Sequence, residues 1–480
     1  MRRDRGTHDG AEPQAGLTDL FDYPLMSALV QRRTRRIARG TSIQSGKISH
    51  QSSNQPAPLS PVEEAILIMA TGVTGIVMHD GPLQKPEGGH ELGTPFLNVV
   101  GRAGSSPDNA QATHMFMLND EGTWLIRRLQ GREALQLLKE TPPSWREWKE
   151  SDWLAAADLV KRKVYPERLD FPRAWPYYLG WNKQISNRPG TTVFMPMVDL
   201  TRQYINAILI VCSEPEGLRP LFIDDFSPFR PKNATEWVAK VASALGLAEP
   251  IPYQPIGGLK WVRSGKVSKD NYVPLGYGNT LRTDHEAFFL LQNLMLVGEG
   301  LGIGGWVHGA IHPLYIMQRD VSKGWYGLGF RTLEPRKHRR WPPLPSPLPN
   351  WVGLDGHLEG LCPPYVKSMD EAVDKLLESK TGPEGAYTDK ELFARPYAKP
   401  EHASEYLSLK EPHPADAIAY TKEICNYLWD TYGRFPAHVM AWYSPGIWVQ
   451  FSHLENEYYE KYARPAHWSR QARHDQVWHQ

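Results

Sequence analysis

The chain has 480 residues, enough for one large domain or two to three ordinary ones, and its 41% hydrophobic and 22% charged residues are those of a globular protein. A formal charge of +1 removes the general electrostatic case for nucleic acid or another polyanion as partner. Three cysteines, Cys212, Cys362 and Cys425, make neither a CxxC pair nor a zinc spacing, which fits buried thiols in a reducing compartment.

The opening segment MRRDRGTHDGAEPQAG is polar, with no apolar stretch behind its basic residues. No secretory signal is therefore expected, residues 1–19 read as flexible, and the cytoplasm is the expected address. A short amphipathic piece from Leu20 to Val30 leads into QRRTRRIARG, and a Gly/Ser/Gln-rich loop follows from Gly40 to Pro58. Ser60-Pro61 predicts a helix start, with serine as N-cap and proline at the first position. Residues 76–105 are rich in glycine and read as loop. His114 to Asn119 and Thr123 to Ile126 predict two strands joined by an Asp-Glu-Gly turn.

Residues 145–280 read as an insertion with tryptophan-rich helical stretches and two apolar runs, Thr192 to Val198 and Tyr204 to Cys212. Pro196 argues that the first run lies at an edge or a bulge. Thr235 to Leu245 predicts a short helix stopped by Gly246. His285 to Leu301 predicts a buried helix ending in LGIGG. Because Phe288 to Ile311 carries Gln292, Asn293, Glu299 and His308, it does not suit a membrane span, and Ala65 to Met78 is too short for one. A strand from Gly327 to Arg331 and a basic run precede WPPLPSPLPNW, an extended linker or strap. Ser368-x-x-Glu371 predicts a capped helix to about Lys380; Pro414 to Tyr432 predicts another, stopped by Gly433; AWYSPGIWVQF suggests a final strand. Helices before and between strands make α+β the expected class.

Three segments carry candidate chemistry. In Arg32-Arg33-Thr34-Arg35-Arg36 the guanidiniums can grip a phosphate and the hydroxyl adds a donor, although such a run also suits a solvated helix end. Ser106, Asn109 and Gln111 stand in a loop just before a strand, where they could read the polar edge of a ring, and their composition is also that of an ordinary turn. FFLLQNLMLVGEGLGIGG ends in small residues that would admit a flat cofactor or another backbone. These glycines close a helix, so they are not a dinucleotide fingerprint. The seventeen histidines show no HExxH, and His438, His453 and His467 are scattered, so no metal site is expected.

Taken in order, the three segments resemble the nitroreductase-like family of flavin mononucleotide (FMN) enzymes. The matches are Arg32-Arg33-Thr34-x-Arg36 to an early phosphate-binding R-R-S-x-R, Ser106-x-x-Asn109-x-Gln111 to a flavin-lining S-x-x-N-x-Q, and Gln292-Asn293-Leu294 with Leu301-Gly302-Ile303-Gly304 to a buried helix. Ala112 and Thr113 stand where the family has proline and tryptophan, and no P-x-x-G segment facing flavin N5 is recognisable; Gly304, Gly305 and Gly309 are the substitutes. The resemblance implies a second basic grip on the phosphate, for which Arg336 and Arg339 are the candidates.

It also implies a mostly antiparallel sheet flanked by helices, a homodimer with flavin at the interface, and reduced flavin passing hydride or electrons to a small organic substrate. NADH or NADPH would be the electron donor. Residues 20–340 would form the FMN-binding core, with 341–480 as an extension wrapping the core or the partner subunit. The tryptophan-rich insertion, with Trp175 and Trp181, would form a lid that selects substrate, or pack as plain core. Catalytic side chains are not identified by the resemblance. Dehalogenation, oxygen-dependent flavin breakdown and a non-catalytic flavin-binding module are the alternatives.

Overall fold

The computed structural model describes residues 13–92, 97–213, 219–257, 259–275, 279–333, 350–440 and 447–478. The chain is mixed α+β, and its main element is an antiparallel sheet of ten strands among these residues. In chain order they are β1 (Thr113–Asn119), β2 (Gly122–Ile126), β3 (Lys161–Tyr165), β4 (Thr191–Asp199), β5 (Gly304–His308), β6 (Arg331–Leu333), β7 (Asn350–Leu354), β8 (Leu358–Glu359), β9 (His438–Met440) and β10 (Trp448–Ser452). The path runs β6-β7-β9-β4-β1-β2-β3, with β10 pairing both β4 and β5, and β8 pairing β7.

Alternation along β1 explains why its sequence reads as an unbroken apolar run. Met115 and Met117 join one core and Phe116 and Leu118 another, so the sheet is buried on both faces. The first face is covered by helices α3 (Pro61–Met69) and α6 (Asn279–Leu301). Residues 169–178 and 311–330 cover the second. A third core is formed by helices α5 (Thr201–Cys212), α7 (Met369–Thr381) and α8 (Ala415–Tyr432). All three cysteines are buried.

Local signals set many of the boundaries. Ser60 and Glu63 form a reciprocal capping box at α3. Ser368 accepts from the Glu371 amide at α7, while Glu371 reaches back to the Lys367 amide. Gly302 (φ 91°) and Gly433 (φ 66°) take left-handed conformations beyond α6 and α8.

Elsewhere the structure differs from the sequence reading. Pro196 lies in β4, which is central rather than at an edge. On one side β4 is paired with β1; on the other, β10 pairs with residues 191–194 and β9 with residues 197–199. Pro196 falls where the second neighbour changes, so its missing N–H costs the sheet little. Tyr204 to Cys212 belongs to helix α5, because a segment buried all round carries no periodicity to read.

Residues 13–19, expected to be flexible, begin helix α1 (Pro13–Asp22), which packs on helix α9 (Ser469–Trp478); Asp19 pairs with Arg470 at 2.6 Å. Short strands at Leu83–Gln84, His90–Glu91 and Val100–Arg102, and the end of one at Val73–Ile76, fall in the stretch read as loop. The strand expected over Gly327 to Arg331 begins only at Arg331 and runs to Leu333. No helix among the described residues is long and apolar enough to cross a membrane.

Candidate functional site

Helix α6 is where the three matched segments meet. Near its C-terminal end Glu299 takes the guanidinium of Arg35, Nη2 to Oε2 at 2.5 Å, and both side chains are buried. Arg35 Nη2 also approaches the Ile303 carbonyl at 3.4 Å, and its amide donates to Gly305. Burial lowers the Arg35 pKa while Glu299 opposes the shift.

Arg35 is the one arginine of the run that the family pattern leaves open, and it anchors the segment. The informative signal was Glu299, the one charged residue between Ala287 and Leu301, which requires a buried counter-charge. The other members lie nearer solvent. Arg32 and Arg33 are half-buried, whereas Thr34 and Arg36 are exposed. Arg33 Nη1 donates to the carbonyls of Gln31 and Arg32, and Arg36 Nη1 to Asn182 Oδ1 at 3.1 Å. The Arg36 guanidinium also lies 5.7 Å from the Trp306 ring centroid.

Near the N-terminal end of α6, the buried Glu286 organises the second segment. Its carboxylate accepts from Ser106 Oγ at 2.6 Å and from the amides of Ala112 (3.1 Å) and Thr113 (2.7 Å). The loop is tightly wound, with positive φ at Asp108 (52°), Asn109 (46°) and Gln111 (48°). Asn109 Nδ2 donates to the carbonyls of Asn98 and Val100, and Gln111 Nε2 donates to Asn109 Oδ1. Both side chains are buried, so their amides hold the loop together instead of facing a groove. Midway along α6, Asn293 donates to the Ala103 carbonyl at 2.8 Å.

Gly304 and Gly305 are tightly packed strand residues. A Cβ on Gly304 would meet Leu454 at 2.2 Å, and one on Gly305 would meet Phe451 at 2.9 Å. Their small size admits protein side chains at these positions. Arg336 and Arg339 lie outside the described residues.

Two groupings were not legible in the sequence. Arg102, Arg128 and Arg202 gather behind the Ser106–Gln111 loop beside a cavity of about 320 Å3. Burial, then Arg202 and Arg102, pulls Arg128 down to about 10. Lys380, fully buried with Nζ donating to Asn206 Oδ1 at 2.9 Å, is pulled down to about 7 by burial and by Lys410.

The second grouping is Glu63, His453 and His474, all buried, whose ligand-capable atoms lie within 4.8 Å of one another. His474 Nε2 is 2.7 Å from Glu63 Oε1, and its Nδ1 is 2.7 Å from the Leu301 carbonyl. Two imidazoles and a carboxylate are a donor set suited to a transition metal, and the 2.7 Å contact is also that of a direct hydrogen bond. The expectation that the histidines are scattered missed this cluster because α9 returns His474 to the core from the far end of the chain. No family model and no curated protein matches the chain.

Proposed function

We propose that the chain binds FMN and works as an oxidoreductase, passing hydride or electrons from reduced flavin to a small organic acceptor. The observation that carries this reading is the packing of the other two motif segments on α6, which itself carries the third. Arg35 reaches it from 264 residues away and Ser106 from 180. Thr34 and Arg36 are the exposed members of the arginine segment and, with the half-buried Arg33, would take the phosphate.

Glu286 and Glu299 are thirteen residues apart, about 20 Å along a helix at 1.5 Å per residue. A single cofactor in contact with both ends of α6 therefore calls for the Ser106–Gln111 loop of a second copy. Exposed Leu25, Met26, Leu29 and Val30 on helix α2 (Leu25–Gln31) and Phe288 and Phe289 on α6 offer an apolar surface for such a homodimer. The bound flavin would supply the redox chemistry, while the chain positions it and its substrate. Trp175 and Trp181 are strongly exposed, and Asn182, beside the second, bonds Arg36, so this loop could rim the substrate over the ring.

The internal bonding of Asn109 and Gln111 favours one second reading, a flavin-binding module without turnover. The test is direct. Purified protein should carry or take up FMN with an oxidised-flavin spectrum, and the Arg33→Ala/Arg36→Ala double variant should lose most of that occupancy. A protein that takes up no FMN overturns the reading. Anaerobic bleaching by NADH or NADPH separates the oxidoreductase from the inert module.

A further inference from the structure

Of the arginines behind the Ser106–Gln111 loop, Arg102 is buried and Arg128 and Arg202 are half-buried, and all three are short of counter-charge among the described residues. Asp199 and Glu286 act on Arg102, Arg128 and Arg202 through space. Neither pairs with them directly among the described residues: Asp199 Oδ1 accepts from the Thr201 amide and hydroxyl, and Glu286 accepts from Ser106, Ala112 and Thr113. Arg102 and Arg128 donate to backbone carbonyls, of Thr71 and Thr113 for the first and of Ala110 and Gln111 for the second. Arg202 Nη2 donates to Ser379 Oγ at 2.7 Å, and its Nε is buried with no hydrogen-bond partner among the described residues. Three guanidiniums thus share two carboxylates that act on them only through space.

Arg202 lines the cavity together with Asn98, Gln130, Gly131, Ser379 and Asp389. Helix α4 (Gly131–Glu140) begins at this wall, and the Gln130 side chain makes no cap hydrogen bond to it. The positive end of a ten-residue helix therefore opens on the same space as Arg202. The volume of about 320 Å3 compares with about 30 Å3 for one water in the liquid, so it exceeds what a bare oxyanion fills. Carboxylates also stand at the wall: Asp389 is paired with Arg132 at 3.0 Å, and Glu384 is exposed. They would disfavour a long polyanion.

We propose that this cavity binds a phosphorylated small molecule, with its phosphate on Arg202 and the first turn of α4, Arg128 adding charge from behind, and the organic part filling the remaining volume. The site is built from residues other than the Arg32–Arg36 segment and does not depend on the flavin reading.

The test is calorimetric titration of the full chain with phenyl phosphate and with inorganic phosphate at low ionic strength. Saturable uptake is expected, with phenyl phosphate at least tenfold tighter and Arg202→Gln weakening it at least tenfold. Ser379→Asp guards against a folding defect, because it gives Arg202 a carboxylate partner while filling the anion's place; it should keep the thermal midpoint and lose phenyl phosphate. Absence of saturable uptake, equal affinity for the two probes, or unchanged uptake by Ser379→Asp overturns the proposal. FMN occupancy is followed in parallel. If Ser379→Asp expels FMN, the cavity is the flavin's own site and the separate ligand is overturned; if the wild-type chain binds no FMN, the flavin reading fails while the phosphate titration still decides this one.

Discussion

The two arginine clusters of this protein are built in opposite ways. Arg32–Arg36 is contiguous in sequence and mostly near solvent, and its one buried member is matched by Glu299. Arg102, Arg128 and Arg202 are spread over a hundred residues, converge only in the fold, and have no direct carboxylate partner among the described residues. A contiguous run advertises itself but keeps its charge hydrated, where each arginine contributes little to stability. The dispersed cluster is held in a less polar setting, where an unsatisfied guanidinium is costly and an arriving anion would be worth more.

The largest effect should come from removing the counter-charge in the first cluster. Glu299→Ala leaves Arg35 buried and unpaired, and a loss of about 3–5 kcal/mol in urea unfolding is expected. A loss below about 1 kcal/mol would show that the pair does not anchor the segment.

The second test sharpens the contrast through pH. Lys380 has its folded pKa depressed to about 7 from 10.5, so between these values the unfolded chain binds the extra proton. Its penalty is therefore fully present below pH 7 and disappears as pH rises toward 10.5. Lys380→Met should be more stable than wild type at pH 6, by at most about 5 kcal/mol, and the difference should close by pH 10.5. Parallel stability curves would sink this account of the buried charge.

Next in size is Ser106→Ala, which removes one donor from the buried Glu286 and should cost about 1–2 kcal/mol by chemical denaturation. An unchanged midpoint would mean that the Ala112 and Thr113 amides hold the loop alone. The smallest effect on stability belongs to Arg33→Ala/Arg36→Ala, within about 0.5 kcal/mol, although it should have the largest effect on FMN uptake. A strongly destabilised double variant would erase the distinction between a ligand-facing and a structural cluster.

Much of the local architecture was legible. The Ser60 N-cap, the β1–β2 hairpin through Asp120 and Gly122, the helix ending before Gly302 and the one ending before Gly433 each depend on a few neighbouring residues. The candidate site was legible in its order along the chain but not in its roles. Asn109 and Gln111 looked like ligand-facing amides and are spent inside the loop; Arg35 looked interchangeable with its neighbours and is the buried anchor. The Glu63–His453–His474 cluster was hidden because its members come from α3, the residue after β10, and α9.

By itself, then, the sequence determined the elements whose causes are local: caps, left-handed glycines, turn residues and runs of apolar side chains long enough to form a strand or buried helix. Tertiary structure decided what those elements face. It made Pro196 central by changing β4's neighbour at that point, made Tyr204 to Cys212 helical within a core of helices, and brought Arg202 beside Arg128 at the mouth of α4. The physical reason is that burial and counter-charge depend on residues 100 to 400 positions away, whose approach is set by packing the whole sheet and no local propensity encodes.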